Sequence, residues 1–392
     1  MDRELGSFAV LLLLSAIVAL ITRRVRVPYS AGLVIAGGVL WFSHALPVIP
    51  LSRELLFLVL LPPLIFEAAF YIRWTNLRTD LPVVLTLATA GVLLAGLIVA
   101  AGMHYLVGWV WISALAFGFL IAATDPVSVI AAFKEAGVRG RLRLLVEAES
   151  LVNDGTAAVA FGLVVAVAQG AAPTPREALL SLVATLAGGI LAGLSVAAIA
   201  LFLAGKTDDH LVEITSTTVA AYGSFLLAER FHCSGILATM TAGLLIGHYG
   251  SLGTITDKGR VAVGAFWEYA AFVANSLIFL LIGSRLAEQS FAPVAGVAIV
   301  AILLVCLGRA VAVYAGCAVW VRSAQRVDAG YQHTLVWGGL RGALALALAL
   351  GLPDAIPHRN EVVAVTYAVV AFSVFVQGLT MPPFLRKLGY IQ

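Results

Sequence analysis

The segment EAESLVNDGTAAVAFGLVVAVA, residues 147–168, indicates which class of fold the chain adopts. Its second half is apolar, and a span over 144–169 is long enough to cross a lipid bilayer as a helix. Its first half nevertheless carries two glutamates, a serine, an asparagine and an aspartate. Acidic groups inside hydrocarbon are costly, and they usually mark an ion or proton path. The stretch therefore predicts a membrane-spanning helix with a functional polar face.

The rest of the chain has the composition of a helical membrane protein. Of its 392 residues, 61% are hydrophobic and 11% are charged, whereas soluble domains have about 25% charged residues. The apolar runs are continuous and not alternating, which excludes a transmembrane β-barrel. We predict an all-α polytopic membrane protein, a single membrane-embedded domain over 1–392 with no soluble domain. The net charge of +3 gives no indication of nucleic-acid binding.

Hydropathy predicts about thirteen spans. They lie near 5–22, 29–46, 54–72, 81–105, 110–133, 144–169, 178–204, 211–228, 233–249, 262–283, 292–321, 331–351 and 361–385. The loops on one side of the predicted spans carry 16 of the lysines and arginines, and the loops on the other side carry 6. Because cytoplasmic loops are enriched in these residues, we expect the N-terminus to lie outside and the C-terminus to lie in the cytoplasm. We expect the protein to be located in the cell (plasma) membrane.

Thirteen spans suggest two inverted repeats of six, at about 5–169 and 211–385, joined by a linker span at about 178–204. The fifth and twelfth spans then occupy equivalent places, and both contain helix breakers at mid-depth. The breakers are ATDP at 123–126 and GGLRG at 338–342. A pair of interrupted spans in matching positions predicts a binding site at the midplane.

The sixth span supplies the central acid of this site. A helix that begins near Leu144 places Asp154 about 15 Å deep, in the middle of the hydrocarbon. Ser150 shares a face with Asp154, and Glu149 and Asn153 share the adjoining face. At that depth Asp154 needs water, a counter-ion or a proton. The alternative is a buried ion pair that only locks helices together.

The fifth span supplies a break beside this acid. Pro126 has no N–H, so the break frees carbonyls near Thr124 that are able to coordinate a cation. Asp125 is placed as the N-cap of a second half-helix, where its charge compensates the positive helix end. The alternative for Asp125 is a proline kink with a locally satisfied carboxylate.

The twelfth span places Arg341 at mid-depth, where a guanidinium requires an acidic partner. Glu149 lies at a similar depth, and we predict an ion pair between the two. Two other charges inside spans, Glu268 and Arg309, are interpreted as snorkelling side chains or a structural pair.

Glu67 follows two prolines, Pro62 and Pro63, in the third span. The prolines indicate an irregular helix with free carbonyls. Glu67 is then either an ion ligand or a gate residue, or it caps a neighbouring helix or meets an interfacial arginine.

The predicted site offers oxygen ligands, which suit Na⁺ or Li⁺ better than soft transition metals. One carboxylate cannot hold a proton and a metal cation on the same oxygens, so competition for Asp154 is enough to couple the two ions. Two rival functions are an intramembrane aspartyl protease, with Asp125 and Asp154 as its dyad, and a passive cation channel.

Five motifs resemble the sodium/proton antiporters of the monovalent cation:proton antiporter-1 family, in particular the prokaryotic NhaP type. The motifs are LPPLIFEAAF, ATDPVSVIA, EAESLVNDGTA, FWEYAAFVANSLIFLLIG and GGLRGALALALAL. The resemblance implies a homodimer in which a transport domain moves like an elevator against a dimer domain. It implies no enzymatic activity and no cofactor, with monovalent cations, protons and the lipid bilayer as partners.

The same resemblance implies roles for individual residues. It implies that Asp154 binds either the cation or the proton. It also implies that Na⁺ has further ligands in Ser150, a carbonyl at Thr124 and Glu67. Asn153 is implied to organise the site. Glu149 and Arg341 match the ion pair of the family. Because relatives with two aspartates tend to be electrogenic, the amide of Asn153 implies electroneutral exchange of one cation for one proton. Exchange of K⁺ for H⁺ at the same site remains an alternative.

Overall fold

The computed structural model describes residues 2–25, 27–43, 52, 54–125, 129–130, 133, 138 and 140–390, with the backbone alone at 2–8, 23, 175, 251 and 252. Within these residues all regular secondary structure is helical. The helices are α1 (Asp2–Val25), α2 (Tyr29–Ser43), α3 (Leu55–Tyr71), α4 (Trp74–Val107), α5 (Trp111–Leu120), α6 (Arg141–Ala168), α7 (Pro175–Ala204), α8 (His210–Arg230), α9 (Gly235–Tyr249), α10 (Asp257–Glu288), α11 (Ala295–Val319), α12 (Ala329–Trp337), α13 (Ala343–Leu350) and α14 (Arg359–Lys387).

Seven segments of the described chain are long and apolar enough to cross a bilayer, and they correspond to α4, α6, α7, α8, α10, α11 and α14. Shorter apolar helices fill most of the remaining predicted spans. The predicted all-α polytopic membrane protein is thereby confirmed. Some helices begin before the predicted span: α4 begins at Trp74 and α10 at Asp257. Hydropathy follows the edge of the hydrocarbon, whereas helical hydrogen bonding continues into the interface.

The fifth and twelfth spans are interrupted, as the sequence predicts. α5 ends at Leu120 and residues 123–125 are not helical, while residues 338–342 separate α12 from α13. The two breaks touch each other, because the Asp125 N–H donates to the Leu340 carbonyl at 2.8 Å. The half-helix predicted to begin at Pro126 lies largely outside the described residues.

The helices pack as two groups. α1–α3 and α7–α10 pack on one another, and so do α4–α6 and α11–α14. Where the groups meet, α6 contacts α3, α7 and α9, and α13 contacts α3 and α10. Gly155 permits the close approach of α6 to α9, since a Cβ there would lie 2.7 Å from Leu237 Cγ. This contact fixes the position of α6 directly beside Asp154.

Candidate functional site

A cavity of about 300 Å³ lies where the two groups of helices meet. α3 and α10 line one side, and α6, α13 and the break after α5 line the other. Asp154 lines this cavity, and its Oδ1 atom is buried with no hydrogen-bond partner among the described residues. Most buried polar groups in proteins are hydrogen-bonded. An orphaned carboxylate oxygen at a cavity is therefore suited to receive a cation or a proton.

Helix α6 arranges the polar side chains in two adjoining rows. Asp154 lies about 20 Å along the helix from Arg141, close to its middle. Ser150 is one turn before Asp154, and Glu149 is one turn before Asn153. Glu149, Ser150 and Asn153 are all buried. The sequence spacing thus places all four polar groups within about 8 Å along the helix axis.

Asn153 and Ser150 hold the broken backbone at Thr124. The Thr124 N–H donates to Asn153 Oδ1 at 3.2 Å, and Asn153 Nδ2 donates to Thr124 Oγ1 at 2.6 Å. The Ser150 hydroxyl donates to the Thr124 carbonyl, while Thr124 Oγ1 donates to Ser150 Oγ at 3.3 Å. These bonds satisfy backbone groups that the helix break would otherwise leave unpaired. They fix the break against the helix that carries Asp154.

The predicted cation ligands do not all face the large cavity. Asp154, Thr124 and Glu67 line it, whereas Ser150 lines a smaller pocket together with Glu149. The Ser150 hydroxyl is hydrogen-bonded to the Thr124 carbonyl, so these two oxygens contact each other. For both to coordinate one cation, this hydroxyl has to rotate away from the carbonyl.

The predicted ion pair between Glu149 and Arg341 is wrong. Glu149 pairs with Arg309 of α11, through Nη1–Oε1 at 2.7 Å and Nη2–Oε2 at 2.9 Å. Glu149 Oε1 also accepts from Asn153 Nδ2 at 2.9 Å. Depth along a span does not specify which neighbouring helix a side chain faces, and Arg309 and Arg341 both lie inside spans. Of the two alternatives given for Glu268 and Arg309, snorkelling or a structural pair, Arg309 forms a buried pair, and its partner is Glu149.

Arg341 instead caps the end of the other broken helix. Its Nη1 donates to the carbonyls of Ala122 and Ala123, both at 3.0 Å. These carbonyls follow the C-terminus of α5, where a positive charge is favourable. The Arg341 Nε atom is buried and has no hydrogen-bond partner among the described residues.

Asp125 has a related position at the start of α13. A Cβ on Gly342 would lie 2.0 Å from Asp125 Oδ2, so the carboxylate rests directly against this glycine. Gly342 is the N-cap residue of α13, and a negative charge is favourable at a helix N-terminus. The Asp125 carboxylate therefore lies at the start of α13, whereas the start of the half-helix predicted to follow it lies outside the described residues.

Glu268 and Asn275 of α10 also line the cavity, and neither was predicted as a site residue. The interpretation of Glu268 as a snorkelling or structurally paired side chain missed this position. Their spacing of seven residues places both on one helix face, and this was the signal in the sequence. Within the described part of the chain, no three His, Cys, Asp or Glu residues form a group that could hold a metal ion.

Comparison with known proteins adds to this geometry. The sequence profile of the family described as "Sodium/hydrogen exchanger, transmembrane" matches residues 10–387. The Na(+)/H(+) antiporter ApNhaP of Aphanothece halophytica is 38% identical over 93% of this chain and 70% of its own length. NhaH of Halobacillus dabanensis is 33% identical over 97% of both chains, and NhaP of Pseudomonas aeruginosa is 36% identical over 86% of this chain and 81% of its own.

A solved structure has the same fold. The sodium proton antiporter MjNhaP1 from Methanocaldococcus jannaschii superimposes with a TM-score of 0.79 at 21% identity, covering 98% of each chain. The relatives bear the names of antiporters and not of enzymes. The family profile, the relatives and the shared fold agree, and the chain belongs to the sodium/hydrogen exchanger family, as a monovalent cation:proton antiporter of the NhaP type.

Proposed function

We propose that this protein exchanges Na⁺ for H⁺ across the membrane, with Asp154 binding either ion in turn. The observation that carries the proposal is the buried Oδ1 atom of Asp154, which lacks a hydrogen-bond partner among the described residues and belongs to a cavity-lining side chain. Family membership supports the two ions, since the similar proteins are named Na(+)/H(+) antiporters.

Competition at one carboxylate explains the coupling. A proton on Asp154 removes the negative charge that a cation needs, and a bound cation displaces the proton, because metal ligands have to be deprotonated. The Thr124 carbonyl, the Ser150 hydroxyl and the Glu67 carboxylate complete a set of hard oxygen ligands for Na⁺ or Li⁺. Asn153 holds Thr124 in place and does not itself titrate.

The exchange is proposed to be electroneutral, one cation for one proton. Glu149 carries a full counter-charge in Arg309 at 2.7 Å, and its neighbour Asn153 is neutral. Asp154 is then the group on this face of α6 whose charge changes during transport. A second titrating carboxylate in place of Asn153 would allow a second proton, and this chain has none at that position.

Alternating access completes the proposed mechanism. The two groups of helices meet at the cavity, so a movement of one group against the other would expose Asp154 to opposite sides. We propose that these groups act as the dimer and transport domains of a homodimer, within inverted repeats at about 5–169 and 211–385. The face of α7 that exposes Leu191 and Phe202 is available to a second copy or to lipid. The proposed location is the plasma membrane, with the N-terminus outside.

Reconstitution into liposomes tests this proposal. With an imposed pH gradient, addition of Na⁺ should drive proton efflux, and parallel additions of Li⁺ and K⁺ rank the substrates and test the K⁺ alternative. Asp154→Asn should abolish the exchange, whereas Asp354→Asn, at a side chain that is 99% exposed, should retain it. A potential-sensitive dye should show no potential generated by exchange. Undiminished exchange by Asp154→Asn would contradict the proposal.

A further inference from the structure

One face of α10 forms a polar track along the cavity. Glu268, Ala271, Phe272 and Asn275 all line it, at the spacing i, i+3, i+4 and i+7 that defines a single helical face. Asn275 lies about 10 Å further along the helix axis than Glu268. This face belongs to the group of helices opposite Asp154, so neither residue is part of the polar rows on α6.

Glu268 stands at the accessible end of this track. It is exposed although it lies within a membrane-spanning helix. A carboxylate facing lipid at such a position would be strongly unfavourable, and the side chain lines the cavity, so its exposure is to the space inside the cavity. Glu67 of α3 also lines the cavity, on the same side as α10. The side of the cavity that α3 and α10 form therefore carries two carboxylates.

The cavity lining has one sign of charge. Its charged members are Glu67, Asp125, Asp154 and Glu268, and the described lining contains no lysine, arginine or histidine. A cleft lined by one sign of charge and enclosed by apolar walls concentrates the field and raises the local concentration of the opposite ion. The lining is therefore suited to attract cations to the level of Asp154.

Asn275 gives an independent indication of a ligand. Its side chain is 8% exposed and lines the cavity, yet it makes no hydrogen bond to any described residue. An amide group at the cavity that no protein group satisfies is left to bind water or an ion there. The amide oxygen is a hard ligand of the kind that alkali cations accept. A partly dehydrated cation in the cavity would satisfy it.

We propose that Glu268 and Asn275 form the access path by which the cation reaches Asp154. Glu268 draws the hydrated cation into the cavity, and the Asn275 amide oxygen replaces part of its water shell before the cation binds at Asp154. This inference rests on the proposed Na⁺/H⁺ exchange and adds to it two residues that determine the apparent affinity for the cation. Both residues act on cation capture. We therefore expect substitutions of either residue to leave the maximal exchange rate at saturating Na⁺ unchanged.

Kinetics in proteoliposomes test the role of Glu268. At low ionic strength Glu268→Gln should raise the KM for Na⁺ about threefold to tenfold with the maximal rate retained, and Glu268→Asp should retain most of the wild-type affinity. Because salt screens exposed charges, added choline chloride should reduce the difference between Glu268→Gln and wild type. Glu288→Gln is the matched control, since Glu288 lies at the far end of α10 and pairs with Arg285; it should leave the KM unchanged.

Asn275→Leu, which conserves the size of the side chain, tests the second residue. It should raise the KM for Na⁺ about threefold to tenfold, and this increase should not depend on ionic strength. An unchanged KM in Glu268→Gln and Asn275→Leu would overturn the inference, and so would a lowered maximal rate at an unchanged KM. A wild-type protein without Na⁺-driven proton movement would instead overturn the proposed function, together with everything that rests on it.

Discussion

Arg309 and Glu149 form a two-point salt bridge that joins α11 to α6, with Nη1–Oε1 at 2.7 Å and Nη2–Oε2 at 2.9 Å. The guanidinium also donates from Nε and Nη2 to the Leu335 carbonyl, at 3.1 and 3.0 Å. Leu335 lies three residues before Gly338, at the end of α12. The pair therefore connects the helix carrying Asp154 with the helix that leads into the second break.

Arg309→Ala should destabilise the protein strongly, because it leaves the Glu149 carboxylate buried without a counter-charge. Removing one partner of a buried pair costs about 3–5 kcal/mol. Thermal and denaturant unfolding of the purified protein in detergent measure the effect. Stability within about 1 kcal/mol of wild type would show that Arg309 does not compensate this charge.

Two double-mutant cycles distinguish the observed pair, Glu149 with Arg309, from the pair that depth along the spans predicted, Glu149 with Arg341. Combining Glu149→Ala with Arg309→Ala should give a coupling energy of about 1–3 kcal/mol. Combining Glu149→Ala with Arg341→Ala should give a smaller coupling, because Arg341 donates to the carbonyls of Ala122 and Ala123. A larger coupling in the second cycle would contradict the pairing of Glu149 with Arg309.

Gly342→Ala should displace Asp125 from the start of α13. The added Cβ would lie 2.0 Å from Asp125 Oδ2, and accommodating an extra methyl in a packed interior costs about 1–3 kcal/mol. Unfolding temperature and exchange rate should both fall. Gly162→Ala is the control, because a Cβ at Gly162 meets nothing within 4 Å and alanine favours a helix by about 1 kcal/mol. Equal effects of the two substitutions would exclude the proposed clash.

Asn153→Asp should impair the protein and not simply change its stoichiometry. The amide donates to Thr124 Oγ1 and to Glu149 Oε1, and an ionised aspartate cannot donate to either. It would also place a second negative charge beside Glu149. We expect destabilisation by about 1–3 kcal/mol and a reduced exchange rate in liposomes. Asn153→Ala removes the donor without adding charge and should be milder. Wild-type stability of Asn153→Asp would count against this role of the amide.

Arg141 is expected to hold the loop before α12 against α6. It pairs with Asp80 at 2.8 Å and donates to the carbonyls of Gln325 and Arg326, both at 2.7 Å. Arg141→Ala should make this loop more sensitive to proteolysis and should destabilise the protein by about 1–3 kcal/mol. Arg143→Ala removes only an i,i+4 pair with Glu147, which contributes about 0.5 kcal/mol. Similar proteolysis of the two variants would refute this function of Arg141.

Much of the architecture can be predicted from local patterns in the sequence. Apolar runs specify the helices, and the glycines at 338, 339 and 342 predict the break between α12 and α13. The spacing of Ser150 and Asp154 predicts their shared face. Each of these features depends on residues close together in the chain, so hydropathy and helical periodicity are sufficient to find them.

Features that depend on lateral packing could not be predicted in the same way. Arg309 and Arg341 both lie inside spans, and only the placement of α11 against α6 brings Arg309 to Glu149. The contact of Asp125 with Gly342 likewise requires the crossing of two distant breaks. The sequence gives the position of a side chain along its helix. Which neighbouring helix the side chain contacts depends on how the helices pack.

Competition between Na⁺ and H⁺ for Asp154 is measured most directly by calorimetry of Na⁺ binding to the purified protein in buffers of different ionisation enthalpy. We expect one proton released for each Na⁺ bound where Asp154 is protonated before binding, since cation binding displaces the proton from its ligand. Asp154→Asn should neither bind Na⁺ nor release a proton. Na⁺ binding without proton release at every pH, or wild-type binding by Asp154→Asn, would contradict exchange at this carboxylate.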